Sequence, residues 1–234
     1  QLIFQDPYAA LSPRMTVRDI IAEPLEVMGL TQTREETDER VREIAAKCRL
    51  NLEHLRRFPH AFSGGQRQRI SIARALVCNP NFVVADESVA ALDVSIQADI
   101  LNLLLSLQNQ LGLTFLFISH DLSVVAHICD HVAVMYLGTL VESAPTRKLF
   151  DNPRHPYTKA LLSAIPSLDP DDSGKAQKLE GEIPSPANPP SGCKFHTRCH
   201  FAEERCRKEV PEWRKLDKRH SVACHFAEKL ASTQ

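Results

Sequence analysis

The sequence has no long apolar run, no surplus of charge of one sign and little glycine. No apolar segment reaches the roughly 18–20 residues that cross a bilayer, and no signal-peptide pattern opens the chain. Lysine and arginine number 28 against 29 aspartates and glutamates, which excludes the basic surplus typical of nucleic-acid binders. Sustained heptads and internal repeats are also missing. These absences predict a cytosolic protein that binds no nucleic acid and reaches a membrane only through a partner.

The most informative segment is Ser63–Arg67, which precedes a predicted helix from Gln66 to about Val77. Two glycines let the backbone approach an anion, the serine hydroxyl donates, and the first N–H groups of a helix carry partial positive charge. Arginines along the helix add cationic charge: Arg67, Arg69 and Arg74. Taken alone, the segment also fits a glycine turn before an ordinary core helix. With the strands that follow, it predicts a phosphate-binding site formed by Ser63, Gly64, Gly65 and Gln66.

Two apolar strands then end in polar residues, which is where open α/β sheets place their chemistry. The first, residues 82–87, is predicted to be a short buried strand that ends in two carboxylates, Asp86 and Glu87. Asp86 suits the oxygen-ligand shell of Mg²⁺, and Glu87 is placed to orient or deprotonate an attacking water. The second, Leu113–Ile118, leads to His120. An isolated histidine there would be an ordinary loop residue, but the parallel with Asp86 and Glu87 favours a position beside the terminal phosphate.

With these motifs in order, residues 1–150 resemble the ATP-binding subunit of an ABC transporter. Gln5 resembles the Q-loop glutamine, Ser63–Arg67 the signature motif and His120 the switch histidine. Asp86 and Glu87 resemble the Walker B aspartate and the catalytic glutamate, and Ala91-Leu92-Asp93 resembles the D-loop. The resemblance implies an α/β P-loop NTPase fold that binds ATP and Mg²⁺, the latter through Gln5 and Asp86. It also implies a second ATPase subunit, because ATP lies between two such domains; the nucleotide contacts carried over are Gln5, Ser63, Gly64, Gly65, Gln66 and Asp93.

The main departure from this family is the missing first phosphate loop. No Gly-x-x-x-x-Gly-Lys-Ser/Thr segment occurs, and the chain has only eight glycines. The expectation is therefore an incomplete ABC-type domain, truncated at its N-terminus by ~80–90 residues for a domain of this family's size. Without that loop the chain alone is predicted to be inactive. A partner with an intact loop could still use its signature motif.

The spacing of apolar residues predicts a helical subdomain over residues of about 17–80. Thr33 and Glu36 are predicted to form a capping box at the start of one of its helices. Composition alone favours helices packed on their own sheet. In the resembled family such a subdomain receives the membrane-spanning subunits, so two transmembrane permease subunits are expected as partners. The docking groove is expected around Tyr8–Met15 and Met28–Leu30.

After a predicted hairpin of His131–Leu137 and Thr139–Glu142, the ATPase body is expected to end near residue 150. Residues 151–192 form a proline-rich linker or extension. This segment resembles the C-terminal extension of oligopeptide and dipeptide importers, which narrows the implied substrate to peptides. An extracytoplasmic peptide-binding protein is then an indirect partner.

A small cysteine-rich module, residues 193–234, is predicted to end the chain, with four of the seven cysteines at Cys193, Cys199, Cys206 and Cys224. A cytosolic location disfavours disulfides, and the spacing is unusual for zinc. Zinc remains open with His196, His220 or His225 as alternative ligands, as do unligated thiols. A [4Fe–4S] cluster accepts four cysteines at irregular spacing, and the resemblance to peptide importers implies that cluster.

The predicted function is an ATP-binding subunit that powers peptide import from the cytoplasmic face of the cell membrane, as a peripheral protein. The alternative is a soluble ABC-type ATPase, or a metal-bearing regulatory module, that acts on nucleic acid or protein. The peptide-type extension and the helical insert favour the first. Co-purification with two permease subunits would distinguish them.

Overall fold

The structure is a computed structural model that describes residues 1–90, 92–165, 179 and 181–229. Its contacts divide the chain into two compact units, the first ending at Asp121 and the second beginning at Leu122. Within these described ranges, no helix combines the length and the apolar character that crossing a bilayer requires.

The first unit contains a parallel sheet and a set of helices. Its strands are β1 (Leu2–Ile3), β2 (Phe82–Asp86) and β3 (Thr114–Ile118), and its α-helices are α1 (Pro7–Ala10), α2 (Val17–Val27), α3 (Arg34–Lys47), α4 (Gly64–Leu76) and α5 (Val94–Leu111). Short 3₁₀ turns occur at Leu52–His54 and Pro59–Ala61. The strand order is β1–β2–β3, and α5 forms the crossover between β2 and β3. Since parallel strands end at the same edge, this edge gathers the residues that follow them.

One face of this sheet is buried and the other is open. Ile3, Val83 and Ala85 are completely buried on the first face. On the opposite face the described residues provide little cover, and apolar side chains remain exposed: Leu2, Phe82, Leu116 and Ile118. The strand predicted over residues 82–87 ends one residue earlier, at Asp86, because Glu87 has a left-handed backbone, and only one of its faces is buried as expected. Parallel sheets usually have both faces covered, which is why the apolar sequence alone suggested full burial.

The helices pack on one another through α2, which contacts both α3 and α4. Each helix begins at a hydroxyl cap: Thr16 Oγ1 accepts from the Asp19 N–H, and Thr33 Oγ1 accepts from the Glu36 N–H at 3.2 Å. The predicted capping box at Thr33 is only half formed, because the Glu36 carboxylate accepts from the N–H of Gln32 instead. The buried side of the packed helices consists of Ile20, Ile21, Leu25, Val41, Ile70, Ile72 and Leu76.

The second unit is built on an antiparallel sheet. Its elements are α6 (Leu122–Ile128), β4 (His131–Tyr136), β5 (Thr139–Pro145), α7 (Thr146–Asp151), α8 (Pro156–Ser163), α9 (Glu204–Lys208), β6 (Arg214–Asp217) and β7 (His220–Val222). The strand order is β4–β5–β7–β6. The predicted hairpin is confirmed, since β4 and β5 pair antiparallel across a turn in which Leu137 (φ 43°) and Gly138 (φ 74°) are both left-handed.

This sheet joins two parts of the sequence that lie far apart. Glu142 of β5 pairs with Val222 of β7, so the strand after α6 and the cysteine-rich segment share one core. That core includes three aromatic rings, with Tyr136 and Tyr157 lying 4.8 Å apart and Phe195 within 5.3 Å of both ring centroids. The division into segments 1–150, 151–192 and 193–234 remains a prediction; part of the expected linker, residues 166–178 and 180, lies outside the described residues.

Candidate functional site

Glu87 lies at the centre of a hydrogen-bonded group at the carboxyl edge of the parallel sheet. One of its carboxylate oxygens accepts from Gln5 Nε2 at 2.5 Å, and the other lies 3.1 Å from His120 Nδ1. The backbone N–H of Glu87 donates to the carbonyl of Ile118, the last residue of β3. The structure therefore brings together three of the predicted residues, each from the end of a different strand.

The backbone at Glu87 has a left-handed conformation, with φ at 44°. A residue that is not glycine adopts this conformation at a cost, and such positions are typical of functional sites. The turn ends β2 at Asp86, which is exposed, and directs the Glu87 carboxylate toward Gln5 and His120. His120 is largely exposed and Glu87 is about one quarter exposed, so a ligand can reach both.

The predicted metal ligands lie at this same edge: Asp86 is the last residue of β2, and Gln5 lies two residues after the neighbouring strand β1. Because the Gln5 nitrogen donates to Glu87, the amide oxygen of Gln5 is left as an acceptor, which is the group a magnesium ion needs. Their role in holding Mg²⁺ remains a prediction.

Ser63 begins α4 with a complete capping box. Its Oγ accepts from the N–H of Gln66 at 3.4 Å, and Gln66 Oε1 accepts from the N–H of Ser63 at 3.0 Å. The sequence placed the start of this helix at Gln66, but it starts at Gly64, because the cap lies at Ser63. Ser63 and Gln66 are exposed, and the hydroxyl hydrogen of Ser63 stays free to donate, as an anion site requires.

The two glycines of this motif differ in their surroundings. Gly64 is half-buried beside the Tyr8 hydroxyl and the Leu92 side chain. Gly65 is buried, and a Cβ added there would stand 2.5 Å from Cγ2 of Ile96 in α5. The sequence explained both glycines by close approach to an anion. For Gly65 the structure adds a second reason, the close packing of α4 on α5.

The arginines of α4 do not add free charge beside the signature motif, contrary to expectation. Arg67 donates to the carbonyl oxygens of Pro59, Phe62 and His60. Arg69 donates to the carbonyl of Cys48, while Arg74 contacts the Ala10 carbonyl and the Glu23 carboxylate. Their position on the packed side of the helix explains the difference, since the guanidinium groups satisfy carbonyls at the ends of neighbouring turns.

Asp93 is the N-cap residue of α5, and its exposed side chain makes no capping hydrogen bond to that helix. A Cβ added at Gly64 would stand 3.8 Å from Cδ2 of Leu92, so the predicted D-loop lies beside the signature motif. Ala91, the first residue of the predicted D-loop, lies outside the described residues. The nucleotide-binding roles of Asp93 and of Ser63–Gln66 remain predictions.

The predicted docking groove is exposed. Tyr8 is 60% exposed, Met28 56% and Leu30 37%, and Val27 beside them is exposed as well. Large apolar side chains that remain in solvent side by side are typical of an interaction surface.

The four cysteines of the C-terminal segment line one cavity. Cys193, Cys199, Cys206 and Cys224 surround it, together with the rings of His155, Phe195, His196, Phe201, His225 and Phe226. All seven cysteines of the chain are described and free. Burial raises the pKa of Cys199 to about 12 and that of Cys224 to about 11, and it also raises the pKa of Cys193. A cation is needed to hold such buried thiols as thiolates at neutral pH.

His220, considered from sequence as an alternative metal ligand, does not line this cavity. It is buried, and its Nε2 lies 2.7 Å from the Glu142 carboxylate. The same carboxylate accepts from the backbone N–H groups of Arg154, at 2.7 Å, and His155, at 2.9 Å. Sequence reasoning missed both Glu142 and His155. The signal available was a charged residue inside an apolar strand, which is rarely buried unless it is paired.

The chain matches two protein-family models and several named proteins. Residues 1–90 match the family model "ABC transporter", and residues 141–206 match "Oligopeptide/dipeptide transporter, C-terminal region". The chain belongs to the ATP-binding proteins of peptide ABC transporters. It is 52% identical over 230 residues to the di/tripeptide transport ATP-binding protein DppF of Pseudomonas aeruginosa, covering 98% of this chain and 71% of that protein. It is 53% identical over 228 residues to the oligopeptide transport ATP-binding protein AppF of Bacillus subtilis, covering 97% and 69%.

Solved structures give the same fold. The CbiO1 protein of Clostridium perfringens, part of an ABC transporter complex, matches with a TM-score of 0.58 and 27% identity, covering 64% of this chain and 58% of that one. A dimeric ATP-binding cassette in a post-hydrolysis state, bound to ADP and Pi, matches with a TM-score of 0.54 and 28% identity, covering 62% of each chain. The chain thus spans about three fifths of the solved chains it matches. These matches confirm the α/β fold of ABC-type ATPases.

Proposed function

We propose that this chain is the ATP-binding part of a subunit that powers peptide import by binding and hydrolysing ATP. The observation that carries the proposal is the position of Glu87, held between Gln5 and His120 at the carboxyl edge of a parallel sheet. The relatives named for di/tripeptide and oligopeptide transport supply the substrate class. No observation favours a soluble ATPase that acts on nucleic acid or protein.

In this proposal Glu87 accepts a proton from the water that attacks the terminal phosphate. Gln5 orients the carboxylate, and His120 stands at the phosphate edge of the site. Asp86 and the Gln5 amide oxygen would hold Mg²⁺, which neutralises charge on the phosphates. Ser63, Gly64, Gly65 and Gln66 would bind the phosphate held by a second ATPase subunit, with Asp93 at the same interface.

The 234 residues contain no Gly-x-x-x-x-Gly-Lys-Ser/Thr segment, so this chain alone lacks the cradle that binds the phosphates of ATP. We therefore expect no hydrolysis by the isolated chain. The complete assembly has a second ATPase subunit, two transmembrane permease subunits that contact the exposed surface around Tyr8 and Met28, and an external peptide-binding protein. It operates at the cytoplasmic face of the membrane.

The experiment is reconstitution of the full-length subunit with its partner ATPase and permease subunits in liposomes. ATP hydrolysis should rise when peptide-loaded binding protein is added, and labelled peptide should accumulate on the side where ATP is hydrolysed. A complex that hydrolyses ATP at a rate independent of peptide, or a subunit that fails to join the permease, would contradict the proposal.

The cysteine cavity is proposed to hold a [4Fe–4S] cluster through Cys193, Cys199, Cys206 and Cys224. The thiols share one cavity lined otherwise by aromatic and histidine rings, which fits Cys₄ ligation in a shielded site. Among the described residues, no group of three or more potential ligands is arranged around a single metal ion. A bound cluster would stabilise the segment and could carry one electron.

Replacing Cys199 by serine should remove this cluster, because a hydroxyl is a poor ligand for iron. The anaerobically purified full-length protein is expected to be brown and to contain about four irons per chain, and Cys199→Ser should lose most of both. Cys78→Ser, at a cysteine outside the cavity, is the matched control and should change neither. If the wild-type protein contains one zinc per chain and no iron, the cluster proposal is wrong and the zinc alternative is right.

A further inference from the structure

Tyr8 and Arg67 form a stacked pair between the Q-loop segment and the signature motif. The guanidinium carbon of Arg67 lies 4.1 Å from the centre of the Tyr8 ring, which is a cation–π contact. Tyr8 belongs to α1, two residues after the Asp6 cap that accepts from the Tyr8 N–H at 2.7 Å. Its hydroxyl also lies beside Gly64 of the signature motif. The ring therefore stacks on one residue of the motif and lies beside a second, while most of its surface stays in solvent.

Arg67 holds the backbone that leads into the signature serine. Its Nε donates to the carbonyls of Pro59, at 2.9 Å, and Phe62, at 3.0 Å, and its Nη2 contacts that of His60 at 3.4 Å. Phe62 immediately precedes Ser63, so the guanidinium plane fixes the position from which α4 and its capping box begin. A lysine cannot make this fork of bonds, since it lacks the planar group.

These contacts form one continuous connection between the two functional ends of the subunit. It runs from Glu87 to Gln5 by a hydrogen bond, along α1 to Tyr8, across the stack to Arg67, and through the carbonyl of Phe62 to Ser63. In the proposed dimer, Glu87 and Ser63 of one subunit serve different nucleotides. A rigid connection between them would make the two nucleotide sites respond together.

We propose that Tyr8 and Arg67 are a positioning pair that ties the signature motif of this subunit to its own Q-loop glutamine. Neither side chain touches the reacting atoms. The inference rests on the proposed function, because it assigns the pair a role within the ATP-driven dimer. The exposed face of Tyr8 lies on the surface proposed to bind the permease, so a docked permease subunit would contact the same ring.

The test uses the full-length subunit in the assembled transporter and measures ATP hydrolysis as a function of ATP concentration. Tyr8→Leu should lower kcat about tenfold and change KM less than about twofold. The reason is that the stack acts on how the two ATPase subunits close around ATP, rather than on the first binding of ATP. Tyr8→Phe keeps the aromatic face and should restore kcat to within about twofold of the wild type. Unchanged thermal unfolding of Tyr8→Leu would show that the effect is not lost folding.

A double-mutant comparison decides whether the two side chains act as a pair. Arg67→Met should lower kcat, and Tyr8→Leu added to Arg67→Met should lower it no further. Independent, multiplying effects would overturn the inference, as would a Tyr8→Phe variant as impaired as Tyr8→Leu. If the wild-type complex shows no peptide-stimulated hydrolysis, the proposed function fails instead, and the Tyr8 series on basal hydrolysis still tests the pair.

Discussion

Replacing Glu87 by glutamine in the full-length subunit should stop ATP turnover while preserving ATP binding. The amide cannot accept a proton from water, so we expect kcat to fall by at least about 100-fold, the usual contribution of a general base. The local structure should survive the change. Glutamine keeps an oxygen for the Gln5 donor and places an amide group near His120 Nδ1, the two contacts that hold Glu87 in place.

The measurement compares steady-state hydrolysis with equilibrium ATP binding on the same purified complex. Glu53→Gln makes the same chemical change at an exposed glutamate of a 3₁₀ turn and should leave both values near those of the wild type. If Glu87→Gln still hydrolyses ATP at the wild-type rate, Glu87 is not the general base. Loss of ATP binding together with turnover would indicate a structural role instead.

The meeting of Gln5, Glu87 and His120 at one sheet edge was predictable from the sequence because the signal lies in short local segments. Gln5, Glu87 and His120 each lie one or two residues after an apolar strand, and parallel strands place such residues at one edge. Ser63 was predictable for the same reason, as a cap residue followed by Gln66 at the spacing of a capping box. The left-handed backbone at Glu87 was not, because no glycine or asparagine marks it.

Features that depend on contacts between distant segments could not be predicted. From the sequence Arg67 was expected to add cationic charge to the phosphate-binding motif, but residues 59–62 place three carbonyls around it. The reason for a glycine at position 65 lies in Ile96, thirty-one positions away along the chain. Likewise, Cys193 and Cys224 meet at one cavity only because β7 pairs with β5, a pairing that no periodicity in the sequence reveals.

Replacing Glu142 by alanine should destabilise the second unit more than any surface change in it. The carboxylate is fully buried and accepts from the N–H groups of Arg154 and His155 and lies 2.7 Å from the His220 ring nitrogen. Its removal leaves one buried donor, one partly buried donor and a buried ring without their partner. Losing one member of such a network costs about 3–5 kcal/mol of unfolding free energy.

The chain carries its own reporter for this experiment, since Trp213 is its only tryptophan and directly precedes β6 of the same sheet. Urea unfolding followed by Trp213 fluorescence should show a large decrease in midpoint for Glu142→Ala and a smaller one for Glu142→Gln, which retains one acceptor oxygen. Glu203→Ala, at an exposed glutamate whose side chain makes no capping bond to α9, is the control and should unfold like the wild type. A Glu142→Ala midpoint equal to that control would mean that the contacts of β5 with residues 154–155 and β7 are held by apolar packing around Tyr136 and Phe195 rather than by the buried carboxylate.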